Sequence, residues 1–188
     1  MTTAQKEYLS GADTAKLVRK ALKTNFAGVK FSVRSDHNSI RVSWIDGPTT
    51  AQVDPVVKAY EGGGFDGMID LPYSCESWLL PDGTVEAAYS GGTEGSRGSV
   101  EGYVFAPTSP DAQLVQFGAK YVFTDRDSSR EALEAAIDET CAYWGIEDRP
   151  VIVEGKYGGV YLGNDVLVSN ANEYSNRLVY KRAQETEA

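Results

Sequence analysis

Two stretches of the chain alternate apolar and polar residues with period two: Val29-Lys30-Phe31-Ser32-Val33-Arg34, and Ile40-Arg41-Val42-Ser43-Trp44. Such alternation predicts strands near 29–34 and 39–45, each with one buried and one wet face. The turn formers Ser35-Asp36-His37-Asn38 lie between them, so the pair reads as a hairpin. Phe31, Val33, Val42 and Trp44 belong to its buried face, and Lys30, Arg34 and Arg41 to its wet face. On either side the period changes to that of a helix. Leu17, Val18, Ala21, Leu22 and Phe26 recur on one side of 13–26, with Asp13 placed to cap the start and Ala27-Gly28 to end it. After the break at Gly47-Pro48, Thr49 and Gln52 have capping-box spacing, and Val53, Val56, Val57 and Tyr60 supply an apolar face. Pro55 sits deep for a first turn, which predicts a kink or a start at Asp54.

The middle, 61–110, is rich in glycine, serine and acids. Short strands are expected near 84–89 and 101–106, with an exposed loop over 91–99. The last third is patterned again. Residues 120–124 read as a strand. Residues 128–145 read as a helix capped by Ser128 with Glu131, with Leu133, Ala136, Ile137, Cys141 and Trp144 on one side. Strands follow at 151–154 and 159–162, the latter extended by 166–168, and then a helix over 172–182. The implied class is α+β: two αββα-like units in helix-hairpin-helix order, their antiparallel sheet covered by helices. The boundaries are an N-terminal αββα unit at 1–61, a Gly/acid-rich strand-loop insert at 62–117 and a C-terminal β-αββα unit at 118–188.

Composition narrows the class. The chain has 188 residues, 41% hydrophobic and 24% charged, as in ordinary soluble domains. No apolar run approaches a membrane span, and the N-terminus lacks a signal peptide's core, so a cytoplasmic setting in a bacterial host cell is expected. Cys75 and Cys141 form no CxxC and are expected to be reduced and buried. The net charge of -9 is uneven: +5 over 1–45, -8 over 46–101 and -6 over 102–188. This acidity argues against nucleic-acid binding by the whole surface. It leaves a local basic face, helix 13–26 with hairpin 29–45, or an acidic face that imitates phosphates before a basic partner.

No catalytic constellation stands out. His37 is the only histidine and sits among turn formers. An enzyme would need it to converge with Cys75, Asp66 and Asp70. The glycine-rich stretches GGGFDG and GGTEGSRGS lack the lysine and hydroxyl of a phosphate loop. The run from Asp125 through Asp127 and Glu131 has Arg130 and Ala136 where a calcium loop needs Gly and Glu. One histidine without a cysteine pair makes zinc improbable. No metal and no cofactor are expected.

The stretch from Ala12 to Tyr73 resembles a known family. The carrying residues are Ala12-Asp13-Thr14-Ala15-Lys16, Lys30-Phe31-Ser32-Val33-Arg34, Val42-Ser43-Trp44 with Asp46-Gly47-Pro48, and Phe65-Asp66-Gly67-Met68. Over roughly residues 9–80 it is similar to the large polyvalent protein-associated domain of class 29. The resemblance implies a protein of phages, plasmids or conjugative elements, where associated domains are thought to counter host defences. It carries over no catalytic residue set. The expected function is therefore non-enzymatic: an accessory protein that binds a host or viral macromolecule through an acidic surface, as an anti-CRISPR or anti-restriction inhibitor does. The partner would be a host or phage protein, such as a nucleic-acid-binding defence protein. The alternative is nucleic-acid binding through the basic N-terminal face. Candidate binding residues are Arg34, Arg41, Asp46, Asp66, Asp70, Glu76 and Asp82.

Overall fold

Helix α1 (Gly11–Asn25) forms where the apolar stripe predicts it, but its cap is Ser10, whose hydroxyl accepts from the Asp13 backbone N–H at 3.2 Å. Asp13 lies inside the first turn instead, where its negative charge suits the helix N-terminus. The computed structural model describes residues 5–90, 106–145, 147, 149, 152–154, 160–162 and 166–168. These fold as two units, Met1–Trp44 with Pro48–Asp125, and Ile45–Gly47 with Arg126–Ala188. Mixed α and β structure is present in both.

In the first unit, β1 (Glu7–Leu9) precedes α1. The hairpin follows as β2 (Ser32–Asp36) and β3 (Ser39–Ile45), in the register Val33↔Val42 and Arg34↔Arg41. β2 starts three residues later than the alternation predicts. Carried back to Val29, this register would meet Asp46, where the chain leaves the sheet at a φ of 58°. Helix α2 (Thr50–Lys58) has the expected Thr49–Gln52 capping box. It does not start at Asp54: Pro55 is inside the helix. Its missing N–H would have met the carbonyl of Ala51, an exposed residue.

The described part of the 62–117 stretch falls within this unit. It contains β4 (Gly63–Asp66), β5 (Leu71–Leu79), β6 (Val85–Ser90) and β7 (Gln113–Phe117). One sheet runs β1-β7-β5-β4, with β6 also on β5. Its β1–β7 pair is parallel, an exception to the antiparallel expectation. A second sheet runs β2-β3-β8, where β8 is Tyr121–Asp127. Val115 and Phe117 of β7 and Val122 of β8 enter the same core as Val18 and Leu22 of α1, Val42 and Trp44 of β3, and Val53 and Val57 of α2. That shared burial joins the sheets and helices of the unit. Arg19 fastens α1 to the open edge of β2, donating to the Val33 carbonyl at 2.7 Å.

The second unit contains α3 (Arg130–Trp144) and the antiparallel strands β9 (Ile152–Glu154), β10 (Val160–Leu162) and β11 (Val166–Val168). The α3 cap is Ser129, one residue beyond the expected Ser128, and it accepts from the Ala132 N–H. Gly145 closes the helix in the left-handed region. Val166–Val168 does not extend β10 but folds back along it, Val160 opposite Val168, with turn formers Gly163-Asn164 in the intervening sequence. The expected strand at 101–106, loop at 91–99 and helix at 172–182 lie outside the described residues apart from Ala106.

Candidate functional site

Most of the carboxylates proposed as a phosphate-like surface hold the protein's own backbone. Asp46 accepts from the Ser129 N–H at 2.9 Å, and hydrogen bonding from Ser129 lowers its pKa. Asp66 is fully buried and accepts from the Met68 N–H at 2.9 Å. Asp82 accepts from the Thr84 N–H at 2.8 Å, which with the Thr84 hydroxyl lowers its pKa. Glu76 pairs with Lys6 at 2.8 Å. Glu86, outside the candidate set, is likewise engaged with Thr108. Asp70 is exposed in a turn, at a φ of 57°. The acids are thus spread over separate turns and caps. A composition count cannot distinguish a carboxylate that caps an N–H from one that faces solvent.

Arg34 and Arg41 lie directly opposite each other on the exposed face of β2–β3. Like charges at opposed positions cost stability. Serines flank them in the adjoining pair, Ser32↔Ser43. Asp46-Gly47-Pro48 is a structural corner: Asp46 and Gly47 both have positive φ, and the Pro48 carbonyl accepts from the Trp44 indole at 2.9 Å.

The hairpin of β4 and β5 breaks the usual inside-outside rule. In β4 the acid Asp66 is buried, whereas Phe65 is 53% exposed. Met68, Ile69 and Leu71, around the turn, are 73%, 52% and 56% exposed. The cause is local. The Asp66 carboxylate turns inward to bind the Met68 N–H, fixing an Asx-type turn that holds the apolar side chains outward. Four of the large exposed apolar residues therefore fall within seven positions. Phe65-Asp66-Gly67-Met68 was legible as a motif, but its inverted burial was not, because a buried aspartate contradicts the alternation rule.

The glycines before this hairpin are close-approach positions. A Cβ on Gly62 would stand 1.8 Å from the Phe117 carbonyl oxygen, and one on Gly64 would stand 2.4 Å from the Tyr73 ring. The Gly62 N–H reaches the Ala119 carbonyl at 2.8 Å, and its own carbonyl accepts from the Cys75 N–H at 3.0 Å. Beyond this crossing lies an open groove of about 680 Å³. Phe65 and Tyr73 line it from β4–β5, and Tyr121 and Phe123 from β8. Glu61 enters from the end of α2 and accepts from the Val122 N–H at 2.8 Å. Burial raises its pKa, against the opposing effect of that hydrogen bond.

A second cleft of about 410 Å³ lies between α1, α2 and the β5–β6 turn, with Lys20, Tyr60 and Asp82 among its walls. His37 is exposed in the β2–β3 turn and lines neither cleft. Of His37, Cys75, Asp66 and Asp70, only Cys75 lines either cleft. Cys75 and Cys141 form no disulfide and are half-buried rather than buried. Among the described residues no group of His, Cys, Asp and Glu is arranged to hold a metal, and no helix is long and apolar enough to cross a membrane.

The family model of large polyvalent protein associated domain 29 matches residues 9–129. The chain belongs to this family. Domain 29 thus extends well past the motif-bearing stretch at 9–80, through β5, β7 and β8, to the cap of α3. The apolar hairpin and the groove both lie inside it. Membership associates the chain with phage and mobile-element proteins. No curated protein and no solved structure matches it.

Proposed function

We propose that this chain is a protein-binding accessory factor of a phage or mobile element, which docks a host or phage protein through the β4–β5 hairpin. The observation that carries this reading is the inverted hairpin: Asp66 inside, with Phe65, Met68, Ile69 and Leu71 outside. Exposed apolar side chains gathered around a fixed turn, Leu71 on one face of the hairpin and Phe65 on the other, mark protein contact surfaces more than nucleic-acid surfaces. Burying what remains exposed of each side chain is worth about 1 kcal/mol, so four supply about 4 kcal/mol before the costs of association. Inhibition of host defence is the role in keeping with the family's setting. The acidic surface then steers encounter rather than forming the contact, because Asp46, Asp66 and Asp82 are committed to backbone groups and Glu76 to Lys6.

The test is affinity capture of partner protein from a bacterial host lysate. Met68→Asp with Ile69→Asp is expected to abolish capture. Asp70→Lys with Glu76→Lys and Asp82→Lys should change mainly its salt dependence. Capture lost with the charge reversals but kept with the hairpin variant would overturn the reading in favour of an acidic contact.

A second reading has its own observation, the opposed Arg34 and Arg41, which suit a phosphate placed between them. Binding of labelled DNA or RNA, weakened by salt and by Arg34→Glu with Arg41→Glu, would favour it. Absence of binding at low salt would end it.

A further inference from the structure

β8 is the outer strand of β2-β3-β8, and β4 is the outer strand of β1-β7-β5-β4. Among the described residues no further strand pairs with either edge, and the two edges flank the groove. They meet at the Gly62–Ala119 hydrogen bond, and a Cβ on Gly63 would stand 3.6 Å from the Lys120 side chain. Beyond that point no ladder joins β4 to β8. Four consecutive β8 residues, 121–124, line the opening. Consecutive residues of both parities line a groove when it runs along the strand's backbone edge rather than over one face.

From this geometry we infer that the groove accepts an extended peptide segment, which adds as a strand to the free edge of β8. The inference rests on the protein-binding reading and names the form of the partner. An open edge offers a row of unpaired N–H and C=O groups to an incoming backbone. Glu61 already supplies such a contact, since its carboxylate takes the Val122 N–H that a strand's carbonyl would otherwise accept. Aromatic walls on both sides, Phe65 and Tyr73 opposite Tyr121 and Phe123, select apolar side chains at alternate positions of the peptide. Four β8 residues span about 13 Å, the length of a four-residue strand.

The test is panning of a random-peptide phage library against the immobilised full chain, followed by anisotropy titration of the selected peptide. Alternating apolar positions are expected in that peptide. N-methylation at alternate residues should weaken binding by about tenfold or more in one parity and little in the other, because only one set of N–H groups faces the edge. Phe123→Ser, a change at a half-exposed position, should also weaken it by about tenfold. Met68→Asp with Ile69→Asp should leave peptide binding intact while abolishing protein capture, which separates failure of the hairpin reading from failure of this one. Failure to enrich any peptide, or equal affinity for both N-methylated series, would overturn the inference.

Discussion

Gly62→Ala makes a demanding test of how the first unit is joined. The new Cβ would stand 1.8 Å from the Phe117 carbonyl oxygen and 2.7 Å from its carbon, where a real contact needs at least 3.0 Å. The obstacle is backbone, so no side-chain rotation relieves it. Moving the two segments apart by more than an ångström breaks the Gly62–Ala119 hydrogen bond of 2.8 Å and strains the Cys75–Gly62 bond of 3.0 Å. Gly62 and Ala119 are buried, so water does not replace the lost partners. At about 1–3 kcal/mol for each unsatisfied pair, the expected loss is about 3–5 kcal/mol, a large share of a domain's stability. Gly67→Ala serves as the control: its added Cβ meets nothing within 4 Å, and the effect should stay within about 0.5 kcal/mol. Gly64→Ala should fall between them, at about 1–2 kcal/mol, because the Tyr73 ring in its way can swing. Urea titration monitored by tryptophan fluorescence reads all three. If Gly62→Ala and Gly67→Ala unfold at the same midpoint with the same slope, the crossing is not as described.

Other consequences follow from the same contacts. Trp44→Phe keeps most of the packing against Phe31 but leaves the Pro48 carbonyl without its indole donor, so thermal melts should show a loss of about 1–2 kcal/mol. The folded Glu61 pKa is raised, so its contribution is fully favourable below the ordinary glutamate pKa and is lost as pH rises through the folded value. Glu61→Gln, which keeps an acceptor for Val122, should flatten that part of the stability-pH curve and stabilise the unit at neutral pH. Asp46 has the opposite sign: its contribution is present above the ordinary aspartate pKa and fades as pH falls through its lowered value. Asp46→Ala should therefore reduce amide protection at the α3 N-terminus at pH 7 more than at pH 3.

The parts of the fold legible from pattern were those whose burial follows one local period. Helices α1, α2 and α3 and the hairpin β2–β3 are of this kind. Ser10 and Ser129 displaced the expected caps because several capping residues cluster at each start, and only geometry selects among them. Strand β5 escaped notice because a bulge between Glu76 and Ser77 breaks its alternation, burying Ser77 and Trp78 in succession. The role of the glycines at 62–64 was not legible, since its cause is the approach of Phe117 and Tyr73 from elsewhere in the chain. Arg34 and Arg41 were placed correctly on a wet face. The aromatic residues of the groove were not legible as a group, because β8 joins them only through long-range pairing. Asp66 shows the largest divergence: an acid expected to face a partner instead turns inward and sets the turn that exposes Met68 and Ile69.

The central claim is that a protein docks on the β4–β5 hairpin. Its most direct test is a photo-cross-linking residue placed at position 68 in the full chain, irradiated in a bacterial host with and without nuclease treatment. The same residue at position 111, on an exposed turn away from the hairpin, is the control. The account predicts one discrete protein adduct from position 68, unaffected by nuclease and absent from position 111. Equal adducts from both positions, or an adduct only to nucleic acid, would contradict it.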